Sequence, residues 1–191
     1  QPQVSLADGR LRGVEALLRW QHPSVGDVPP GLFLPLLEEA RLISQLSAWI
    51  YQQAGAQRQA WQTTFDEELV LSVSLSSSQF NMPNLANQMQ QVIERHGLQA
   101  RQLEVAIGED CLMNNLEEAT KQLKLLRRIG VRIALDDFGC GPCSLAHLRD
   151  LAFDTLKLDP QLVARLPGSV RDAAMARSII ELCGHFEVLV V

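Results

Sequence analysis

The feature that most constrains the fold is a repeated alternation. Apolar runs of strand length are separated by amphipathic stretches of helical length. Strand-length runs fall at residues 4–6, 14–18, 69–75, 103–107, 131–136, 155–158 and 187–191. Between them, residues 33–61 read as one long helical region with a break near Gly55. Residues 83–96 read as a second helix, with Pro83 in its first turn and Gly97 just past its end. Within residues 115–129, Leu116, Ala119, Leu123 and Leu126 recur at helical spacing until Gly130 stops the pattern, and residues 169–185 form the last helical stretch. Strand and helix in alternation predict an α/β fold with a parallel sheet under covering helices. Continuous apolar runs such as Val131-Arg132-Ile133-Ala134-Leu135 predict strands buried on both faces. Seven strands are predicted, one short of a closed (β/α)8 barrel, so the barrel is expected to be incomplete at its C-terminal part. An open doubly wound sheet is the alternative. Its nucleotide-binding version is weakened because neither GxGxxG nor GxxxxGK[ST] occurs.

A chain of 191 residues is long enough for one domain with a real core, and residues 1–191 are read as one domain. Net charge is −5, which argues against wrapping a nucleic-acid backbone; the densest basic cluster, Lys121, Lys124, Arg127 and Arg128, reads as an outer helix face. A small dianion can still bind through one or two arginines. No run of 18 apolar residues and no basic segment followed by an apolar run is visible, so a cytoplasmic domain is expected, free or as part of a larger membrane-attached protein. The four cysteines are irregularly spaced, and reduced thiols are the expectation.

In parallel α/β architectures, polar residues at the C-terminal ends of strands face the ligand site. Asp136 and Asp137 end one strand, Glu109 follows another, and Lys157 and Glu15 lie inside apolar runs. A charge within a strand needs a partner or a metal. Carboxylates suit hard divalent cations, and two such cations can activate water and clamp a phosphodiester. Spacing alone leaves other readings open: the Asp pair as a turn before Gly139, and Lys157 as an ordinary ion-paired lysine.

Several ordered segments then carry a resemblance. Gly13-Val14-Glu15-Ala16-Leu17-Leu18-Arg19-Trp20 comes first, followed by Phe33-Leu34-Pro35-Leu36-Leu37-Glu38, Leu71-Ser72-Val73-Ser74-Leu75-Ser76, and Leu103-Glu104-Val105-Ala106-Ile107-Gly108-Glu109-Asp110. Asp136-Asp137-Phe138-Gly139 and Asp154-Thr155-Leu156-Lys157-Leu158-Asp159 complete the set. Together they resemble the EAL domain, the bacterial phosphodiesterase family that hydrolyses cyclic di-GMP. The resemblance implies an α/β fold of EAL type, a modified (β/α)8 TIM barrel.

It also implies roles. Glu15, Asp136 and Asp137 match family metal ligands. Ser74 stands where active members carry an Asn ligand, and Ala106 where they carry a Glu ligand. Lys157 matches the catalytic lysine, and Glu109 the acid that braces the loop after DDFG. Arg19 matches an arginine that contacts a ligand phosphate. Leu17, Phe33 and Pro35 resemble apolar positions around the guanine site. The ligand-binding set is therefore Leu17, Arg19, Phe33, Pro35, Ser74, Asp136, Asp137 and Lys157, with Glu15 and Lys157 as vestigial catalytic groups. Losing one carboxylate and one amide disfavours a paired-metal state, because affinity for hard cations follows ligand charge and count.

The expectation is a degenerate cyclic di-GMP receptor that needs no cofactor and signals to a partner protein or neighbouring domain, with homodimerisation as a further association. Two alternatives stand beside it: a phosphodiesterase using Mg²⁺ or Mn²⁺ in an altered site, and an interaction domain that binds no nucleotide. Cys140-Gly141-Pro142-Cys143 matches a thioredoxin-type motif but occupies the position of the family's TGYSS loop. It is read as two replacements in a lapsed loop, with a redox-switchable loop as the competing reading. The four histidines show no zinc spacing, Ser76-Ser77-Ser78 is not framed as a nucleophile elbow, and Trp49 and Trp61 are read as core.

Overall fold

The structure, a computed structural model, describes residues 1–65, 68–113, 115–139 and 151–191. The main sheet contains β1 (Pro2–Val4), β2 (Leu11–Ala16), β5 (Val70–Leu75), β6 (Leu103–Gly108), β7 (Arg132–Phe138), β8 (Thr155–Leu158) and β9 (Leu189–Val190), in that spatial order. β1 pairs antiparallel with β2, and every later pairing is parallel. A separate antiparallel hairpin, β3 (Trp20–His22) with β4 (Gly26–Val28), follows β2. The helices are α1 (Pro30–Glu39), α2 (Ile43–Ala60), α3 (Ser77–Phe80), α4 (Leu85–His96), α5 (Glu109–Met113), α6 (Leu116–Arg128), α7 (Pro160–Arg165) and α8 (Val170–His185).

The strands alternate between two different interiors. Leu71, Val73, Leu75, Val105, Ile107, Ile133, Leu135 and Leu156 belong to one hydrophobic core with residues from the covering helices, among them Met89, Val92, Leu123 and Leu126. The intervening residues lie in register across the other face: Ser72 beside Glu104 beside Arg132, and Ser74 beside Ala106 beside Ala134 beside Thr155. The expected burial on both faces holds for Ser72, Glu104, Thr155 and Lys157, yet that second face is polar.

The sheet is curled toward this polar face. Glu15 on β2 and Lys157 on β8 are four strand spacings apart, about 19 Å in a flat sheet. Their side chains nevertheless meet at 2.9 Å, which only a strongly curved sheet permits. Two strands apart, Thr155 donates to Glu104 at 2.6 Å on the same concave side. The result is a half-barrel whose hollow is lined by polar groups, the incomplete barrel expected from the strand count.

Local differences from the sequence reading have physical causes. The first strand lies at Pro2–Val4 rather than 4–6, and Leu6 is fully exposed. The second starts at Leu11, because β1 supplies pairing partners from there, and ends before Leu17. Pro83 precedes the Asn84 N-cap of α4 instead of sitting in its first turn. Residues 33–61 form two helices, and the break falls at residues 40–42, where Arg41 adopts a φ of 57°.

Gly55 does not interrupt α2 but marks where α2 touches α4. A Cβ there would lie 2.6 Å from both His96 Cδ2 and Val92 Cγ1. Ala is the better helix former by about 1 kcal/mol, but this overpacking is larger. Gly55→Ala is expected to destabilise the fold by about 1–2 kcal/mol net, read from equilibrium urea unfolding.

Candidate functional site

The site gathers at the C-terminal ends of the parallel strands. Glu15 comes from β2, Ser74 from β5, Asp136 from β7 and Lys157 from β8. Alternation puts all four on the concave face, and curvature brings them together. The Lys157 ammonium is buried and lies 2.9 Å from Glu15 Oε1 and 3.4 Å from Asp136 Oδ2. The Ser74 hydroxyl has one proton and two carboxylate neighbours, Glu15 Oε1 at 2.8 Å and Asp136 Oδ2 at 3.3 Å. The shorter contact takes the proton. One cation and one hydroxyl thus serve two carboxylates.

Burial by itself raises the Glu15 pKa, but the Lys157 ammonium and then the Ser74 hydroxyl outweigh it, holding the carboxyl below its ordinary range. Asp137 behaves oppositely. Burial, then the charges of Asp136 and Asp159, push it upward against the smaller pull of Lys157. The Asp137 backbone has a φ of 54°, a left-handed conformation that Asp tolerates better than most residues, and its amide donates to Asp136 Oδ1 at 3.1 Å. The buried Glu109 accepts from the Gly139 amide at 3.4 Å, and the Asp159 amide donates to the Phe138 carbonyl at 3.0 Å. These contacts hold the strand end that carries the two aspartates.

Glu15, Leu17, Arg19 and Ser74 share a cavity of about 790 Å³ that extends toward Leu34, Trp49 and Trp61. Arg19 is exposed, and among the described residues its guanidinium donates to the neighbouring Leu18 carbonyl, at 2.8 Å. Phe33 and Pro35 do not line that cavity. Phe33 is buried edge-on against Trp20, with ring centroids 5.5 Å apart, and Pro35 is an exposed residue inside α1. Trp49 and Trp61 are not core residues: Trp49 is 54% exposed, and both edge the cavity. Ala106 is buried between Ser74 and Ala134 and presents only a methyl group. Among the described residues, no group of three or more His, Cys, Asp and Glu is arranged to hold a metal ion.

Sequence reasoning passed over a second polar cluster at the rim. Ser76 caps α3 reciprocally with Gln79, and Ser78 Oγ hydrogen-bonds Glu38. The Ser-x-x-Gln pattern of a capping box was the available signal. Cys111 and Cys183 are buried free thiols, as expected, and burial pushes the Cys111 thiol up to about 11. Cys140 and Cys143 lie outside the described residues. No described helix is long and apolar enough to cross a membrane.

Comparison with known proteins matches this geometry to a family. The family model described as EAL domain matches residues 1–191. The cyclic di-GMP phosphodiesterase NbdA of Pseudomonas aeruginosa is 36% identical over 191 residues, which are 100% of this chain and 24% of that protein. The bifunctional diguanylate cyclase/cyclic di-GMP phosphodiesterase MucR of the same species is 35% identical over 182 residues, 95% of this chain and 27% of that protein. The chain thus spans about a quarter of the length of these relatives. A structure of the MucR phosphodiesterase in complex with c-di-GMP superposes with a TM-score of 0.92 at 34% identity, covering 100% of this chain and 77% of that one.

Proposed function

The chain belongs to the EAL domain family, and on that premise we propose that it is a cyclic di-GMP receptor whose hydrolytic centre has been depleted. The observation that carries this reading is the pair Ser74 and Ala106. A hydroxyl already engaged by Glu15 and a buried methyl stand where an amide and a carboxylate would supply oxygen. Lys157 lies between Glu15 and Asp136, so its ammonium offsets part of the negative charge of the acids that remain. That donor set does not fit two hard divalent cations, which require more carboxylate oxygen. Glu15 and Lys157 are then vestigial catalytic groups, and no cofactor is needed for binding.

Binding relies on different residues. Arg19 is free to leave the Leu18 carbonyl for a phosphate, and a charge-assisted contact of this kind is strong. Leu17 and the Trp49 edge of the cavity offer apolar area for a planar base, and Phe33 supports Trp20 from below. Ligand occupancy is read out by a partner protein or a neighbouring domain.

Titration calorimetry tests the proposal. Saturable binding of cyclic di-GMP is expected, weakened at least about tenfold by Arg19→Ala. Overnight incubation with Mg²⁺ or Mn²⁺ is expected to yield no linear dinucleotide. No binding by folded protein sinks the receptor reading and favours an interaction domain. Metal-dependent turnover abolished by Asp136→Asn makes the chain an active phosphodiesterase with an altered metal site.

A further inference from the structure

We propose that the opposite mouth of the half-barrel holds a second, anion-binding site, shaped for a phosphate group on a small molecule. The site is a cavity of about 320 Å³ lined by Arg101, Arg127, Gly130, Val131, Arg132 and Asp154. It lies at the N-terminal ends of β7 and β8. Arg132 opens β7 and Asp136 is four residues further on, so about 13 Å of strand separates this cavity from the carboxylate–lysine cluster.

Three guanidinium groups face one carboxylate there, a local excess of positive charge in a chain whose net charge is −5. The one carboxylate is already engaged. Asp154 Oδ2 accepts from the Ile133 amide at 2.9 Å, and Oδ1 meets Arg127 at 3.5 Å. Arg101 donates its Nε to Gln99 at 2.8 Å, which leaves the rest of its fork for another acceptor. Arg132 is the telling residue. Its Nε is buried with no hydrogen-bond partner. Glu104, its register neighbour on β6, is likewise incompletely paired: its Oε2 accepts from Thr155, while its Oε1 is buried with no hydrogen-bond partner. The Nε faces inward toward the sheet interior, so it is the outer nitrogens of Arg132, with those of Arg101 and Arg127, that line the cavity as donors for an anion.

The wall of the cavity is fixed in shape. Gly130 has a φ of 85°, and a Cβ there would come within 3.1 Å of the Ala100 Cβ. The chain therefore turns closely between α6 and β7 and delivers Arg127 and Arg132 to the same hollow. Arginine forks match phosphate oxygens in geometry as well as charge. The volume is at the lower end for small-molecule sites, enough for a phosphate with a sugar-sized group and too small for a cyclic dinucleotide.

Calorimetry with inorganic phosphate and with ribose 5-phosphate, at low salt, tests this on the full chain. Saturable millimolar or tighter binding of either probe is expected, weakened at least about tenfold by Arg101→Gln and by Arg132→Gln. Tighter binding of ribose 5-phosphate identifies a phosphate monoester as the ligand class; equal binding identifies free phosphate. Circular dichroism checks that both variants fold, and Arg101, exposed on a short turn, is the safer one. Cyclic di-GMP titrations are expected to be unchanged in both. Absence of binding by either probe, or binding that neither substitution weakens, overturns the proposal.

Discussion

Replacing Lys157 with methionine is expected to cost about 2–4 kcal/mol of folding stability at neutral pH. The side chain is 7% exposed and is the cation between Glu15 and Asp136, whose side chains are each 20% exposed. Removing one partner of such a cluster leaves the other charges desolvated and uncompensated. Methionine keeps the apolar stem, so the loss reports the charge. The penalty is also expected to depend on pH. With lysine present, the Glu15 carboxyl is held below the ordinary glutamate range. Its stabilising contribution is complete above that range and disappears as pH falls through the lower folded pKa. Without lysine, burial pushes Glu15 upward, and the variant recovers part of its loss as that carboxyl protonates. Urea unfolding of both proteins at about pH 7 and about pH 4 checks this. An equal penalty at both pH values would show that packing, not charge, is what Lys157 provides.

The second large effect is a gain. Ser74→Asn combined with Ala106→Glu is expected to raise Mn²⁺-dependent hydrolysis of cyclic di-GMP by at least about a hundredfold, since even supporting residues around metals carry effects of this order. Both positions lie on the concave face, in register with each other and beside the Glu15–Asp136 cluster. The double substitution adds one negative charge and one amide oxygen where the remaining acids already converge. Either single substitution is expected to fall well short of the pair. Turnover in the double variant no greater than in the parent, with folding intact, would mean that the deficit lies elsewhere in the site.

Much of this molecule was legible from its chain. The apolar runs at 69–75 and 103–107 became β5 and β6 almost residue for residue, because alternating Leu, Val and Ile need one buried face. Gly97 and Gly130 ended helices where expected, both with positive φ. The convergence of Glu15, Asp136 and Lys157 followed from motif order, since each ends or interrupts a strand of the same parallel sheet. Other features depend on tertiary context. The β3–β4 hairpin is too short to show periodicity, and Gly55 reads as a helix breaker until α4 is placed against it. Trp49 fits a core pattern along α2 yet faces a cavity. The arginine pocket joins three residues from separate elements, a juxtaposition that only the turn at Gly130 creates.

From β2 onward, the spatial order of the main sheet follows the order of the chain, and only the small β3–β4 hairpin stands aside. Each new strand therefore docks beside the main-sheet strand made before it, and the longest intervening segment, between β2 and β5, carries the β3–β4 hairpin, α1 and α2. Loop-closure entropy grows only with the logarithm of that length. Assembly can then advance strand by strand from the amino-terminal edge as the polypeptide leaves the ribosome, with curvature accumulating at each addition. Lys157 reaches Glu15 only after β8 has joined, so their ion pair is a late event that latches an arc already built.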